Sequence, residues 1–436
     1  MKRLWLFILV VGCGMSPASA QPSSGLTVDE AIRRGLESSH RLAEAAARAE
    51  MSAAVVDQRR AGQLPQISAQ AGYSRTNHVE AFGVLLPDNQ LRVIYPDIPD
   101  NYRTRLDVQW PIYTGGRLDA LERAARAEAA ASIDDLAAAR SDLRLEIARA
   151  YWALVTARES QRVVDESLNR VGAHLQDVRN QLDAGLVPPN DVLTVEAQAS
   201  RQRLFTIQAR TTRENAAADL ARLIGDPGAA IEPAAALDPP PPRPEPFEAL
   251  LDEARRQRSE RAALLKRIAA SERRHVAAAA GSKPTIAVAG GLDYARPNPR
   301  IFPRTEAWRE SWDAGVNAVW PLFDGGRSRA EAAEAAAATR GMQARLAEFD
   351  SVLTVEIRQR INELAASRAA IEAATDAVRS ATEARRVIGE RFAAGVAVST
   401  DVLDAQVALL QAGLDRTQAI ASARLAEARL DRALGK

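Results

Sequence analysis

The eight residues Trp110-Pro111-Ile112-Tyr113-Thr114-Gly115-Gly116-Arg117 return as Trp320-Pro321-Leu322-Phe323-Asp324-Gly325-Gly326-Arg327, a shift of 210. Ala184-Gly185-Leu186 with Asp191-Val192-Leu193 recurs as Ala394-Gly395-Val396 with Asp401-Val402-Leu403 at the same shift. A shift held between two landmarks makes the segments 117–185 and 327–395 equal in length. Any fold must therefore accommodate one long element built twice. The helical stretch from Thr27 to Ala61, stopped by Gly62 and Pro65, has its counterpart from Phe247 to Ala280, stopped by Gly281 and Pro284. Thr27 and Glu30 have the spacing of a capping box.

After each stop the apolar period changes from that of a helix to that of a strand. Ile67, Ala69, Ala71 and Tyr73 alternate with polar residues, as do Tyr102, Thr104, Leu106, Val108 and Trp110. In the second half Ile286, Val288, Leu292 and Tyr294 share one face, and Trp308, Trp312, Ala314, Val316, Ala318 and Trp320 another. Each half thus predicts a β-hairpin with one apolar face, over 64–113 and 283–323. Alternation alone also suits a soluble hairpin. The placing of Tyr73, Tyr102, Trp110, Tyr294, Trp308 and Trp320 near strand ends favours a membrane strand, whose rings sit at the lipid–water interfaces. The connection from Asn77 to Asn101 reads as a loop, facing outward from the cell. The glycine pairs match neither phosphate-binding pattern and read as turns.

Proline-free helices are expected over 117–183 and 327–393, each on the order of 100 Å long at 1.5 Å per residue. Seams run through Leu143, Ile147, Leu154, Val164, Val171, Leu175 and Val178, and through Leu353, Ile357, Leu364, Ile371, Val378, Ile388 and Phe392, with coiled-coil spacing. Tips at 184–190 and 394–400 lead into return helices over 191–225 and 401–434. Their expected seams are Leu193, Ala197, Leu204 and Ile207, then Leu403, Val407, Leu410 and Leu414. The proline-rich stretch 226–246 reads as a linker outside the helical body. The repeats are therefore 21–225 and 247–436.

Residues 1–20 have the form of an export signal ending in Ala18-Ser19-Ala20. Val10-Val11-Gly12-Cys13 is a rival lipobox with lipid on Cys13, but the apolar run before it is short, which favours cleavage after Ala20. Cleavage would leave no cysteine. No later stretch is apolar and long enough for a membrane helix, so any crossing is made by strands. With 57 basic and 56 acidic residues, charge gives no support for nucleic-acid binding. Four strands cannot close a barrel, and open edges in lipid cost several kcal/mol per unpaired group. A trimer would supply about twelve strands, within the known range, with the helices continuing as a tube. The expected fold class is mainly α with β: a duplicated repeat of long helical hairpins and two β-hairpins per chain.

The chain resembles the TolC-like outer membrane efflux proteins across essentially all of the mature sequence. The carriers are the two-fold repeat, the W-P-[IL]-[YF]-x-G-G-R junctions, Glu146-Ile147-Ala148-Arg149-Ala150-Tyr151-Trp152, and the tips A-G-[LV] with D-V-L. The resemblance implies a homotrimeric exit duct, with a barrel in outer membrane lipid and an α-helical tunnel in the periplasm. It implies a periplasmic adaptor (membrane fusion) protein docking on the tips at Gly185, Leu186, Gly395 and Val396, and an inner-membrane pump or ABC transporter. It also implies an acidic, cation-selective tunnel gate at Asp401 and Asp404. Residue chemistry agrees, since carboxylates from three chains around one axis attract cations; equally, Asp401 could N-cap its helix. The family's best-known member holds its tips closed with a tyrosine and an arginine, where this chain has Phe392 and Ala397. Closure would then fall to Arg391 or to seam packing.

An enzyme is not expected. His40, His78, His174 and His275 show no metal-ligand spacing, and no cofactor motif appears. A copper or silver exporter would carry methionine clusters; beyond the signal only Met51 and Met342 remain. A periplasmic coiled-coil adaptor would have one hairpin and no aromatic-ended strands. Type I protein secretion and small-molecule efflux remain alternatives as cargo.

Overall fold

A computed structural model describes residues 25–243 and 245–436. The export signal and Cys13 lie outside the described residues. In chain order the elements are α1 (Val28–Ser38), α2 (His40–Ala61), β1 (Gln66–Arg75), β2 (Phe82–Leu85), β3 (Leu91–Tyr95), β4 (Asp100–Tyr113), α3 (Arg117–Asp183), α4 (Pro189–Leu223), α5 (Phe247–Gln257), α6 (Ser259–Ala279), β5 (Thr285–Arg296), β6 (Arg309–Val319), α7 (Arg327–Ala393) and α8 (Ser399–Leu434). The chain is mainly helical, and α3 and α7 are each 67 residues long. Among the described residues no helix is long and apolar enough to cross a membrane.

Several local expectations change. The helix expected from Thr27 to Ala61 is two, because Ser39 leaves the helical region and its hydroxyl caps the next helix by accepting from the Leu42 N–H at 3.3 Å. Its counterpart likewise breaks at Arg258, which is extended. The connection 77–101 is not all loop. It carries the small antiparallel hairpin β2–β3, turned through Asn89 at φ 63°, a conformation asparagine tolerates better than most residues.

The chain divides into two compact units. One holds the sheet and residues Ser39–Leu145, Pro242–Ala365 and Ala426–Lys436. Its helical core joins Leu250, Leu251, Leu353, Ile357, Leu364 and Leu430, all buried. The other holds residues 25–38, Glu146–Pro241 and Ala366–Leu425. There Val171, Leu175, Val178, Val192, Val195, Phe392, Val402 and Leu403 form one cluster from four helices. The seam expected on α4 is corrected. Leu193, Leu204 and Ile207 are exposed, and the inward face is Val192, Val195, Ala199 and Gln202, one residue round from the expected start.

The linker is also corrected. Up to Pro241 it lies on its helical unit instead of outside it, with Ile231 buried. Prolines lack N–H groups, so a proline-rich segment cannot satisfy its own carbonyls. Arginines do so: Arg158 donates to Pro233 O at 2.7 Å and Ala235 O at 2.6 Å, Arg424 to Asp238 O at 2.8 Å, and Arg368 to Pro241 O at 2.6 Å. The Tyr151 hydroxyl donates to Leu26 O at 2.9 Å and accepts from the Ala235 N–H at 3.2 Å.

The duplicated motif is a strand-to-helix adaptor. The two copies differ at three positions, and the last of these is the cap: Thr114 Oγ1 accepts from the Leu118 N–H at 3.3 Å, and Asp324 Oδ2 from the Ser328 N–H at 2.9 Å. The Ser328 hydroxyl, then backbone N–H groups, hold the Asp324 carboxyl down at about 2. Both glycine pairs have positive φ, 65° and 88° in the first copy and 68° and 87° in the second. Side chains resist that conformation.

Candidate functional site

The four main strands form one antiparallel sheet in the order β1-β4-β5-β6. Register places Ala69 opposite Leu106, Leu106 opposite Leu292, and Leu292 opposite Trp312. Because side chains alternate, this aligns the apolar residues of the four strands on one face. That face is bare: Ile67 is 67% exposed, Trp312 75% and Val316 72%. At one end Tyr73, Tyr102, Trp308 and Tyr294 form a continuous aromatic row, with successive ring centroids 5.0, 5.9 and 5.0 Å apart. At the other end the indole N–H of Trp110 donates to Gln63 O at 3.1 Å and that of Trp320 to Ser282 O at 3.2 Å. From Tyr102 to Trp110 is about 27 Å of strand at ~3.4 Å per residue, comparable to an apolar band of about 25 Å.

The opposite face is charged. Asp293, 1% exposed, is held by Arg103 at 2.6 Å and by Arg105. Arg105 also pairs with Asp107 at 2.6 Å and Asp313 at 3.1 Å, and Arg300 reaches Asp313 at 2.9 Å. This lattice ties β4, β5 and β6 together. No sequence motif singles it out; its only signal is charge on alternate positions of apolar strands. Asp293→Ala is expected to cost about 1–2 kcal/mol, since charge-assisted hydrogen bonds between strands are lost while the half-exposed Arg103 returns to water and Arg105 keeps Asp107 and Asp313. The readout is a lower thermal midpoint in detergent, with Ile67→Ala on the bare face as the control that changes little.

Both helical tips are Schellman turns. Gly185 at φ 71° and Gly395 at φ 73° donate to Leu182 O at 2.9 Å and Phe392 O at 3.0 Å. The next N–H groups, of Leu186 and Val396, donate to Gln181 O and Arg391 O, each at 2.8 Å. Such turns usually pack that residue against the preceding helical turn. Here the receiving residues are polar, and Leu186 is 74% and Val396 66% exposed.

Asp401 does not N-cap α8, which starts two residues earlier. Asp401 sits in the first turn and its Oδ2 accepts from the Val398 N–H at 3.3 Å, the return half of a capping box. Asp191 makes no such bond, and α4 has no side-chain cap. Asp401 and Asp404 are both exposed, while Val402 and Leu403 between them are buried. The structure therefore puts the two carboxylates on one free face of α8. Arg391 is exposed. Phe392 is buried and meets His174 edge-on, with centroids 5.0 Å apart. Among the described residues no group of three or more His, Cys, Asp or Glu side chains could hold a metal ion.

A sheet with one bare apolar face and two aromatic ends, joined by capped turns to paired long helices, has the make-up of a membrane-strand sheet carried on a helical body. The chain belongs to the outer membrane efflux protein family, whose model matches residues 31–226 and 250–436. It is 24% identical over 421 residues to the outer membrane protein TolC of Vibrio cholerae, covering 93% of this chain and 90% of that protein. It is 24% identical over 361 residues to the cobalt-zinc-cadmium resistance protein CzcC of Cupriavidus metallidurans, covering 81% and 82%. The crystal structure of the outer membrane protein VceC from Vibrio cholerae matches with a TM-score of 0.76 at 22% identity, covering 94% of this chain and 96% of that one.

Proposed function

We propose that three copies form the outer membrane exit duct of a tripartite export system. The observation that carries this reading is the four-stranded sheet with a bare apolar face and two open edges, β1 and β6. In lipid those edges must pair, and three sheets joined edge to edge give about twelve strands, within the range of membrane barrels. The aromatic rows would then sit at the two interfaces, and the charged lattice would face the lumen. The exposed stripe Leu193, Leu204 and Ile207 on α4 supports the same assembly, since an unpartnered apolar helix face calls for a neighbour. The helices would continue the duct through the periplasm. Leu186 and Val396 at the tips would meet a periplasmic adaptor, and an inner-membrane pump or ABC transporter would load the cargo. Asp401 and Asp404 would ring the narrow end and favour cations.

The test is mass. Purified in detergent, the protein is expected at three times the chain mass after subtraction of the micelle, by native mass spectrometry or by sedimentation. A stable, folded monomer under the same conditions defeats the reading, because its sheet edges would then be open.

A further inference from the structure

We propose that His174 is a positioning residue that clasps the first helical hairpin to the start of α8, fixing where Asp401 and Asp404 stand, and that protonation of its imidazole releases the clasp. The clasp is read from geometry; what its release does to conduction rests on the proposed duct.

His174 is 4% exposed, in the last turns of α3 before the first tip. Its Nε2 lies 2.9 Å from Ser399 Oγ, and its ring edge packs on Phe392. Ser399 is the first residue of α8, so one helical turn carries this contact and Asp401 together, with Asp404 directly after. The contact is not a product of the duplication. The 210-residue shift puts Ala384, Leu182 and Pro189 where His174, Phe392 and Ser399 would recur. Among the described residues, only the tip bearing the paired carboxylates has an imidazole partner.

The neighbourhood disfavours a cation. The adjoining cleft of about 660 Å³ is lined by Arg170 and Asp177 from α3, by Arg385, Arg386 and Glu390 from α7, and by neutral Val402 and Gln406 from α8. Arg386 is tied to Glu390 at 2.6 Å, and Arg170 reaches Glu166 only at 3.7 Å. The positive end of α8 also faces the imidazole. Burial pushes the imidazole below its usual range, opposed by Asp177 and by a backbone hydrogen bond at Ser399. A serine hydroxyl can accept from the charged ring as well as the neutral one; what disfavours the charged form in the clasped state is its burial.

A released imidazole regains water and an ordinary value of about 6.5, so the released state binds more protons and acid favours it. The clasp is whole above about pH 7. The ratio of clasped to released forms falls by up to about tenfold per pH unit below ~6.5, levelling off beneath the clasped-state value.

The experiment uses the full chain in nanodiscs and hydrogen exchange of the segment 394–406 between pH 5 and 8, corrected for intrinsic rates. Native protein is expected to lose at least about threefold protection per pH unit below ~6.5. His174→Gln, which keeps a hydrogen-bonding group without titrating there, is expected to give a flat profile. The same pH dependence in native protein and His174→Gln overturns the clasp. Should His174→Gln fail to assemble, imidazole titration of isotope-labelled native protein decides: a titration below the ordinary value, moved up by Ser399→Ala, supports the clasp, and an ordinary value overturns it. Single-channel recording separates the clasp from the duct's gate. Acid-induced loosening without any change in conductance supports the clasp and removes the gate.

Discussion

Exchanging both Asp401 and Asp404 for asparagine is expected to raise the concentration of a trivalent cation that half-blocks the channel by about a hundredfold, equivalent to about 3 kcal/mol. Three copies replace six carboxylates by six amides. A unit charge pair 8 Å apart in water is worth about 0.5 kcal/mol, and a trivalent ion facing six such charges collects roughly 9 kcal/mol before screening, of which about a third is expected to survive in salt. Preference for monovalent cations should fall in the same recordings. Both effects should shrink toward 1 M salt, where the Debye length is about 3 Å. The amides are chosen to isolate charge. Asparagine at 401 still offers an acceptor to the Val398 N–H, the bond that Asp401 makes at 3.3 Å, so the helix start survives. Both carboxylates are exposed in the single chain, so no buried partner is orphaned. Native block and native selectivity in this variant would leave the two aspartates as helix-start residues and nothing more.

The long-range order of the fold was legible because it repeats. Two junction motifs and two tip motifs at one shift locate the long helices, and strict alternation locates an apolar strand face. The return helix was less legible. On α4, Val192, Leu193 and Val195 all invite a seam, and only packing against α3 decides that Leu193 faces out. Helix breaks at Ser39 and Arg258 escaped because neither site carries glycine or proline. The β2–β3 hairpin escaped because its apolar run, Phe82 to Tyr95, lacks clean alternation. His174 was legible in principle. It lies three residues after Val171 and four before Val178, on the same stripe as Leu175. A histidine at seam spacing announces a buried ring, but its partner Ser399 is distant in sequence and had no pattern to declare it. The gate aspartates were found through resemblance. The structure adds that Asp401 and Asp404 share a free face while the residues between them anchor the turn.

Replacing Leu186 and Val396 together by glutamate is expected to abolish export while leaving assembled trimers in the outer membrane. The turns themselves should be unaffected. Their geometry depends on Gly185 and Gly395 at positive φ and on backbone N–H donors, none of which the substitutions touch. Neither side chain is buried in the single chain, so no cavity is opened. The loss would fall on binding: an apolar contact buried against a partner helix is worth roughly 1.5–3 kcal/mol per side chain, and a carboxylate forced into the same place adds a desolvation penalty. Six such changes per trimer would exceed what a transient tip contact can absorb. The paired alanine variant should fall between, with export reduced but measurable. Crosslinking of the adaptor to the tips should fall in step with export across the three proteins. Unchanged export by the double glutamate variant would remove the tips from the docking surface. Lost export with adaptor crosslinking at the native level would place the defect after docking.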